Sequence, residues 1–168
     1  MKLKQIKTGT FTFRKVLPEY CLGLGPDDCK EVFVEIEGRL GAAMNQKYIA
    51  DAEAVAKKAV VMDKKREILV RKAETSESDA AALVEKSMAN SKVIAADQFG
   101  ITYDNCVAAW STNICDEAGE VLTPTRANFI GLAQVSLAPI ADVFTEFMAE
   151  LESVSKISEQ ADEDDLKN

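Results

Sequence analysis

The 168-residue chain contains no histidine. That excludes Ser-His-Asp and Cys-His nucleophilic mechanisms, imidazole general bases and every zinc site with a His ligand. Cysteine is scarce. Cys21, Cys29, Cys106 and Cys115 are the four, and neither near pair has C-x-x-C spacing. Metal-binding and thioredoxin-like readings are therefore weak, and small buried apolar side chains are the plainer one. No run approaches the roughly 20 apolar residues of a membrane span. The basic stretch Met1 to Lys7 is not followed by the apolar segment of a secretory signal. Free thiols in a reducing cytosol are the expectation. There is no G-x-G-x-x-G, no P-loop and no D-x-D-x-D-G loop. Gly23-x-Gly25 reads as a turn. Glu35 and Glu37 read as charges on one strand face rather than a hydrolase pair. Asp162 to Asp165 is an acidic run rather than a calcium site. Neither a cofactor nor a metal is expected, and the chain is not expected to be an enzyme.

What is present is an acidic, core-forming sequence. Hydrophobic residues make up 47%, charged residues 29%, and the formal net charge is −8. This argues against a protein that holds nucleic acid by its phosphates. The charge is unevenly spread. Residues 1–72 carry 15 Lys and Arg against 10 Asp and Glu; residues 73–168 carry 5 against 18. Such asymmetry either steers a partner or aligns copies head to tail, or marks two solvated faces of one domain.

The expected fold is α+β: a small N-terminal antiparallel sheet followed by a predominantly helical body. Residues 1–155 read as one domain, β-rich over 1–40 and helical over 45–155, with an acidic flexible tail over 156–168. Thr10 to Val16 alternates as a half-buried strand, and Glu31 to Glu37 is a second. In the second, Val32, Val34 and Ile36 face one way. A short strand at 2–6 completes the expected sheet. Asn45 caps a helix over 46–72, whose other face carries Lys57, Lys58, Lys64, Lys65, Arg71 and Lys72. Arg66 interrupts its apolar face. That basic face is either solvated or a nucleic-acid surface, and Asp51, Glu53, Asp63 and Glu67 dilute it. Further helices are expected near 79–92, capped by Ser78, and near 102–114, with Gly100 weakening the stretch between them. Cys115 to Pro124 reads as a turn and a short extended piece. Thr125 caps a helix to about Gln134, and a last helix starts near Ala138 with Ser136 as a cap. Ile140, Val143, Phe144, Phe147, Met148, Leu151 and Val154 form its apolar stripe. The stripe is either core or a face offered to another chain.

The order of features resembles the tail-assembly chaperones of long-tailed bacteriophages. Thr10 to Arg14 is similar to the sheet edge with which these proteins often begin. Val107 to Trp110, followed by Asn113 to Thr125, is similar to their helix, tryptophan, acidic-Gly-Glu turn and capped helix. The apolar final helix, Ile140 to Leu151, and the ending Leu166-Lys167-Asn168 also fit. The long helix at 46–72 has no counterpart in the resemblance. What it implies is a non-enzymatic protein in the cytoplasm of the infected bacterial host. Such a protein coats the tape-measure protein, keeps it soluble and recruits tail-tube subunits. Many members are made in two lengths through a ribosomal frameshift. Phe144, Phe147, Met148 and Leu151 are then the candidate partner contacts, because aromatic and Met side chains adapt to a varied client. Homo-oligomerisation is a further expectation. The alternatives are a small virion structural or head–tail completion protein, and an acidic inhibitor of a basic protein surface.

Overall fold

Two alternating segments pair as the sequence predicts. In a computed structural model describing residues 9–73 and 77–165, β1 (Thr10–Val16) lies antiparallel to β2 (Phe33–Arg39). Phe13 stands opposite Ile36, and Val16 opposite Phe33. β2 begins two residues later than expected, but its faces are as read: Val34 and Ile36 are fully buried and Glu35 is not. On the outer face Arg14 lies 4.0 Å over the Phe33 ring and ion-pairs with Glu31 and Glu35. The connection between the strands contains a 3-10 turn, Glu19–Leu24, that puts Cys21 into the core. The short strand expected at 2–6 lies outside the described residues.

The sheet is not wholly N-terminal. Its third strand, β3 (Val107–Thr112), comes after a long helical hairpin and pairs antiparallel with β2, giving the order β1-β2-β3. The hairpin is α1 (Gln46–Ala73) and α2 (Glu77–Cys106). Asn45 caps α1 as expected, its side-chain oxygen accepting from the Lys47 amide at 2.8 Å.

Two expectations fail here. Residues 79–92 and 102–106 belong to one continuous helix, and 107–112 is a strand rather than the end of a helix. Gly100 does not break α2 because it is buried under α3, where a Cβ would meet Arg126 Nη2 at 2.6 Å. The strand was hidden by a bulge at Glu37/Gly38. The irregular register leaves Val107 and Trp110 both buried, with Ala108 and Ala109 exposed between them. An extra residue in a strand thereby produces the i, i+3 spacing of a helix.

After β3 the chain turns tightly. Asp116 Oδ1 accepts from the amides of Ala118 and Glu120, and Cys115 bridges to Val121. Thr125 caps α3 (Arg126–Ala133) by accepting from the Asn128 amide at 3.2 Å. The final helix, α4 (Ala138–Asp165), has its cap position on Leu137 rather than Ser136, with the Leu137 carbonyl accepting from Ala141. It continues to Asp165, so the backbone of 156–165 is helical where composition suggests a tail.

The core lies between the sheet, α3 and α4. Gly38 is buried in β2, and a Cβ there would sit 2.3 Å from Phe11 Cε1. Phe11 occupies that space and stacks on Phe147. Gly38→Ala should therefore destabilise the fold by about 1–3 kcal/mol through overpacking. Urea unfolding followed by far-UV circular dichroism measures it; an unchanged midpoint would mean that Phe11 moves aside freely.

Candidate partner-binding surface

The sequence-derived partner residues are core, and the expectation that they form a surface is corrected. Phe147 is fully buried, its ring 6.1 Å from Phe11 and 5.9 Å from Phe13. Phe144 is buried against Phe99 and Phe129. Leu151 is buried with Ala42 and Cys106 at the base of the hairpin, and Met148 is half-buried beside them. The stripe on α4 faces its own sheet because β1 and β2 present Phe11, Phe13, Val34 and Ile36 toward it. That burial covers Ile140, Val143, Phe144, Phe147 and Leu151 and leaves Met148 and Val154 half-buried.

Most of the exposed large apolar residues lie on the hairpin instead. α1 turns Tyr48, Val55, Ala59 and Met62 inward, and α2 turns Leu83, Ser87, Asn90 and Ile94 inward. Their seam is thin. Clefts of about 300 and 280 Å3 run along it, where Arg66 shares the space with Ser87 and Asn90. The interrupting arginine of the sequence thus meets polar residues on the facing helix.

A second row on α2 borders the first: its Ser91 and Ala95 line the cleft shared with α1, while Ala81, Val84 and Met88 are exposed. Ala81, Val84, Met88, Ser91 and Ala95 recur at alternating spacings of three and four. Val84 is 59% and Met88 61% exposed. The Ser91 hydroxyl donates to the Ser87 carbonyl, so it does not compete with an apolar neighbour. This is the a/d spacing with which one helix receives another.

α1 carries a different outer face. Val61 is 51% and Ile68 56% exposed, one heptad apart, with Ile68 also edging the cleft against α2. Lys57, Lys64 and Lys65 are exposed around them. Lys57 pairs with Glu53, and Lys58 with Asp97 of α2. No described carboxylate pairs with Lys64, Lys65 or Arg71.

The hairpin is fixed to the body at its base. Arg39 donates to the carbonyls of Asp104 and Asn105 near the end of α2, where a cation suits the helix dipole. Arg126 grips Asp104 with two bonds of 2.8 and 2.9 Å and holds its carboxyl below the usual carboxylate range. Gln134 Nε2 donates to the Lys92 carbonyl at 2.7 Å. Burial pushes the Cys106 thiol up to about 12 and also raises the Tyr48 phenol.

Sequence reading missed the α2 seam because Ala and Ser occupy three of its five positions, which lowers its apolar contrast. Its heptad spacing was the available signal. Among the described residues no group of three His, Cys, Asp or Glu could hold a metal, and no single helix is long and apolar enough to cross a membrane. Comparison of the chain with protein-family models, curated proteins and solved structures gave no match.

Two contrasts test this partition. Phe147→Ala should cost about 3–5 kcal/mol, whereas Val84→Ser with Met88→Ser should leave the denaturation midpoint within about 0.5 kcal/mol of the parent. Equal losses would make the α2 seam part of the core. Cys106 gives a pH test. Its neutral thiol is favoured by the fold, so its contribution is intact below its ordinary value of 9.0 and is lost as pH rises toward about 12. Stability should fall by up to about 1.4 kcal/mol per pH unit across that window. Cys106→Ala should flatten the slope in pH-dependent urea titrations; an identical slope would assign the loss to other groups.

Proposed function

We propose that this chain is a non-enzymatic tail-assembly chaperone of a long-tailed bacteriophage, which binds the tape-measure protein through the α2 seam and keeps it soluble. The observation that carries the reading is the exposed row Ala81, Val84 and Met88, on a helix whose neighbouring face, including Ser91 and Ala95, borders α1. A long helical client exposes apolar stripes of its own. A seam of small residues and one flexible Met suits such stripes, because it admits close approach and tolerates variation in the sequence it covers. The acidic balance of the chain helps to keep the complex soluble.

The resemblance in the sequence supports the same reading. Of the segment that carries it, the Asp116–Gly119 turn and the helix capped by Thr125 form, whereas Val107 to Trp110 is a strand where the resemblance has a helix. The client-binding role moves from Phe144, Phe147, Met148 and Leu151 to the hairpin. Recruitment of tail-tube subunits and residence in the cytoplasm of the infected host belong to the same proposal.

Co-expression with the longest helix-rich reading frame near the gene tests it. The long protein should stay in the soluble fraction and co-purify with the chain. Val84→Ser with Met88→Ser should cut the recovered client at least tenfold, a loss of about 1.4 kcal/mol or more. Mass spectrometry of purified particles should find the chain absent. Its stoichiometric presence in particles would overturn the chaperone reading in favour of a virion component.

A further inference from the structure

We infer that two copies of this chain pair edge to edge through β1, antiparallel about a two-fold axis at Phe13, so that two three-stranded sheets become one continuous sheet. β1 and β3 are the two edges of the sheet. The Leu17 amide donates to the Val32 carbonyl, and the Leu40 amide to the Gly9 carbonyl, which fixes the phase of the ladder. Phe11, Phe13 and Lys15 therefore direct their main-chain groups to β2, while Thr10, Thr12, Arg14 and Val16 direct theirs outward. Among the described residues none hydrogen-bonds to those outward groups, and all four residues are exposed. The other edge differs. By the same phase, the groups of β3 that point away from β2 belong to Trp110 and Thr112, which are buried.

The β1 edge is complementary to itself. With Phe13 opposite Phe13 of the second copy, Thr10 faces Val16, Thr12 faces Arg14, and every outward amide and carbonyl of β1 meets a partner. On the other face Phe11 lies opposite Lys15, so no two like charges are opposed. Moving the axis to Arg14 would set the two guanidinium groups against each other, and moving it to Thr12 would leave Val16 unpaired. Charge normally guards such an edge. Here both cations are already engaged, Arg14 with Glu31 and Glu35 and over the Phe33 ring, and Lys15 with Glu146 of α4. Phe11 and Phe13 are only half-buried, although Phe147 beneath them is fully buried. A second strand extends the cover over both rings.

A second copy suits this edge better than a flexible peptide does. Its strand is already ordered, whereas a disordered segment would lose backbone entropy comparable to what the hydrogen bonds return. The contact is isologous, so it closes at two copies. It uses β1 rather than the α2 row and needs no client, so it stands or falls separately from the chaperone reading.

Sedimentation velocity and residue-resolved amide hydrogen exchange of the purified full chain test this without any partner. The mass should pass from monomer to dimer as the concentration rises from about 1 to about 300 μM. The amides of Thr12 and Arg14 should exchange at least about tenfold more slowly in the dimer than in the monomer, while the Phe13 amide, bonded to β2, stays protected in both. Thr12→Lys places a cation opposite Arg14 of the second copy, yet beside Glu37 of its own chain, and should weaken the dimer at least about tenfold with the fold intact. Thr12→Pro removes one outward donor without touching the bonds to β2 and should weaken it likewise. Circular dichroism checks that both variants fold, and the exchange of the parent chain stands without them. A parent chain that stays monomeric at the higher concentration overturns the inference. So does a dimer whose Thr12 and Arg14 amides exchange as fast as in the monomer. Slow exchange of those two amides in the monomer would assign the edge to residues 1–8 of the same chain and overturn it as well.

Discussion

Phe129 is the side chain on which the arrangement of elements depends. Its ring is fully buried and meets Tyr103 of α2, Trp110 of β3 and Phe144 of α4, at centroid distances of 5.2, 5.7 and 5.2 Å. Phe144 passes the contact on to Phe99, one turn back along α2. Edge-to-face pairs of this kind add about 0.5–1.5 kcal/mol each beyond the area they bury. Their larger role here is directional, because one ring fixes the base of the hairpin, the third strand and the last helix against each other. α3 is only Arg126–Ala133, and it holds Phe129 in place through the Thr125 cap and the clasp of Arg126 on Asp104. The cluster also accounts for an uncompensated polar group. Trp110 Nε1 is buried without an acceptor among the described residues, which costs about 1–3 kcal/mol. The edge-to-face contact of the indole with Phe129 recovers only part of that loss.

Much of this architecture was legible in the residues, where local chemistry decides it. The alternation of Thr10 to Val16, the Asn45 and Thr125 caps and the Asp116–Gly119 turn each carry their own signal, and each forms. What was not legible depends on tertiary context. β3 was disguised because its bulge places Val107 and Trp110 at helical spacing. The continuity of α2 through Gly100 depends on α3 covering it. The apolar stripe of α4 was visible, but periodicity cannot tell a core face from a binding face. Only the position of Phe11 and Phe13 across from Phe147 decides that it is core.

The molecule therefore divides its apolar surface unusually. The body buries Trp110, Phe129, Phe144 and Phe147, while the hairpin leaves Val60, Val61, Ile68, Val84 and Met88 in contact with water. Scattered exposed apolar residues are ordinary, but a heptad-spaced row is a pattern with a use. The α1–α2 seam is lined partly by Arg66, Ser87 and Asn90. A hairpin sealed by a wide apolar interface would spend its hydrophobic residues on itself. The polar seam leaves them for other helices.

The hairpin has a consequence for how the chain reaches its fold. β2 and β3 are neighbours in the sheet, yet residues 40–106 lie between them. Joining the ends of a flexible chain that long carries an entropy loss that grows with the logarithm of its length. A helical hairpin forms from contacts near in sequence and draws those ends together as it zips, which turns a distant closure into a local one. The long projection, read first as a surface for partners, is also the device that shortens the search for the third strand.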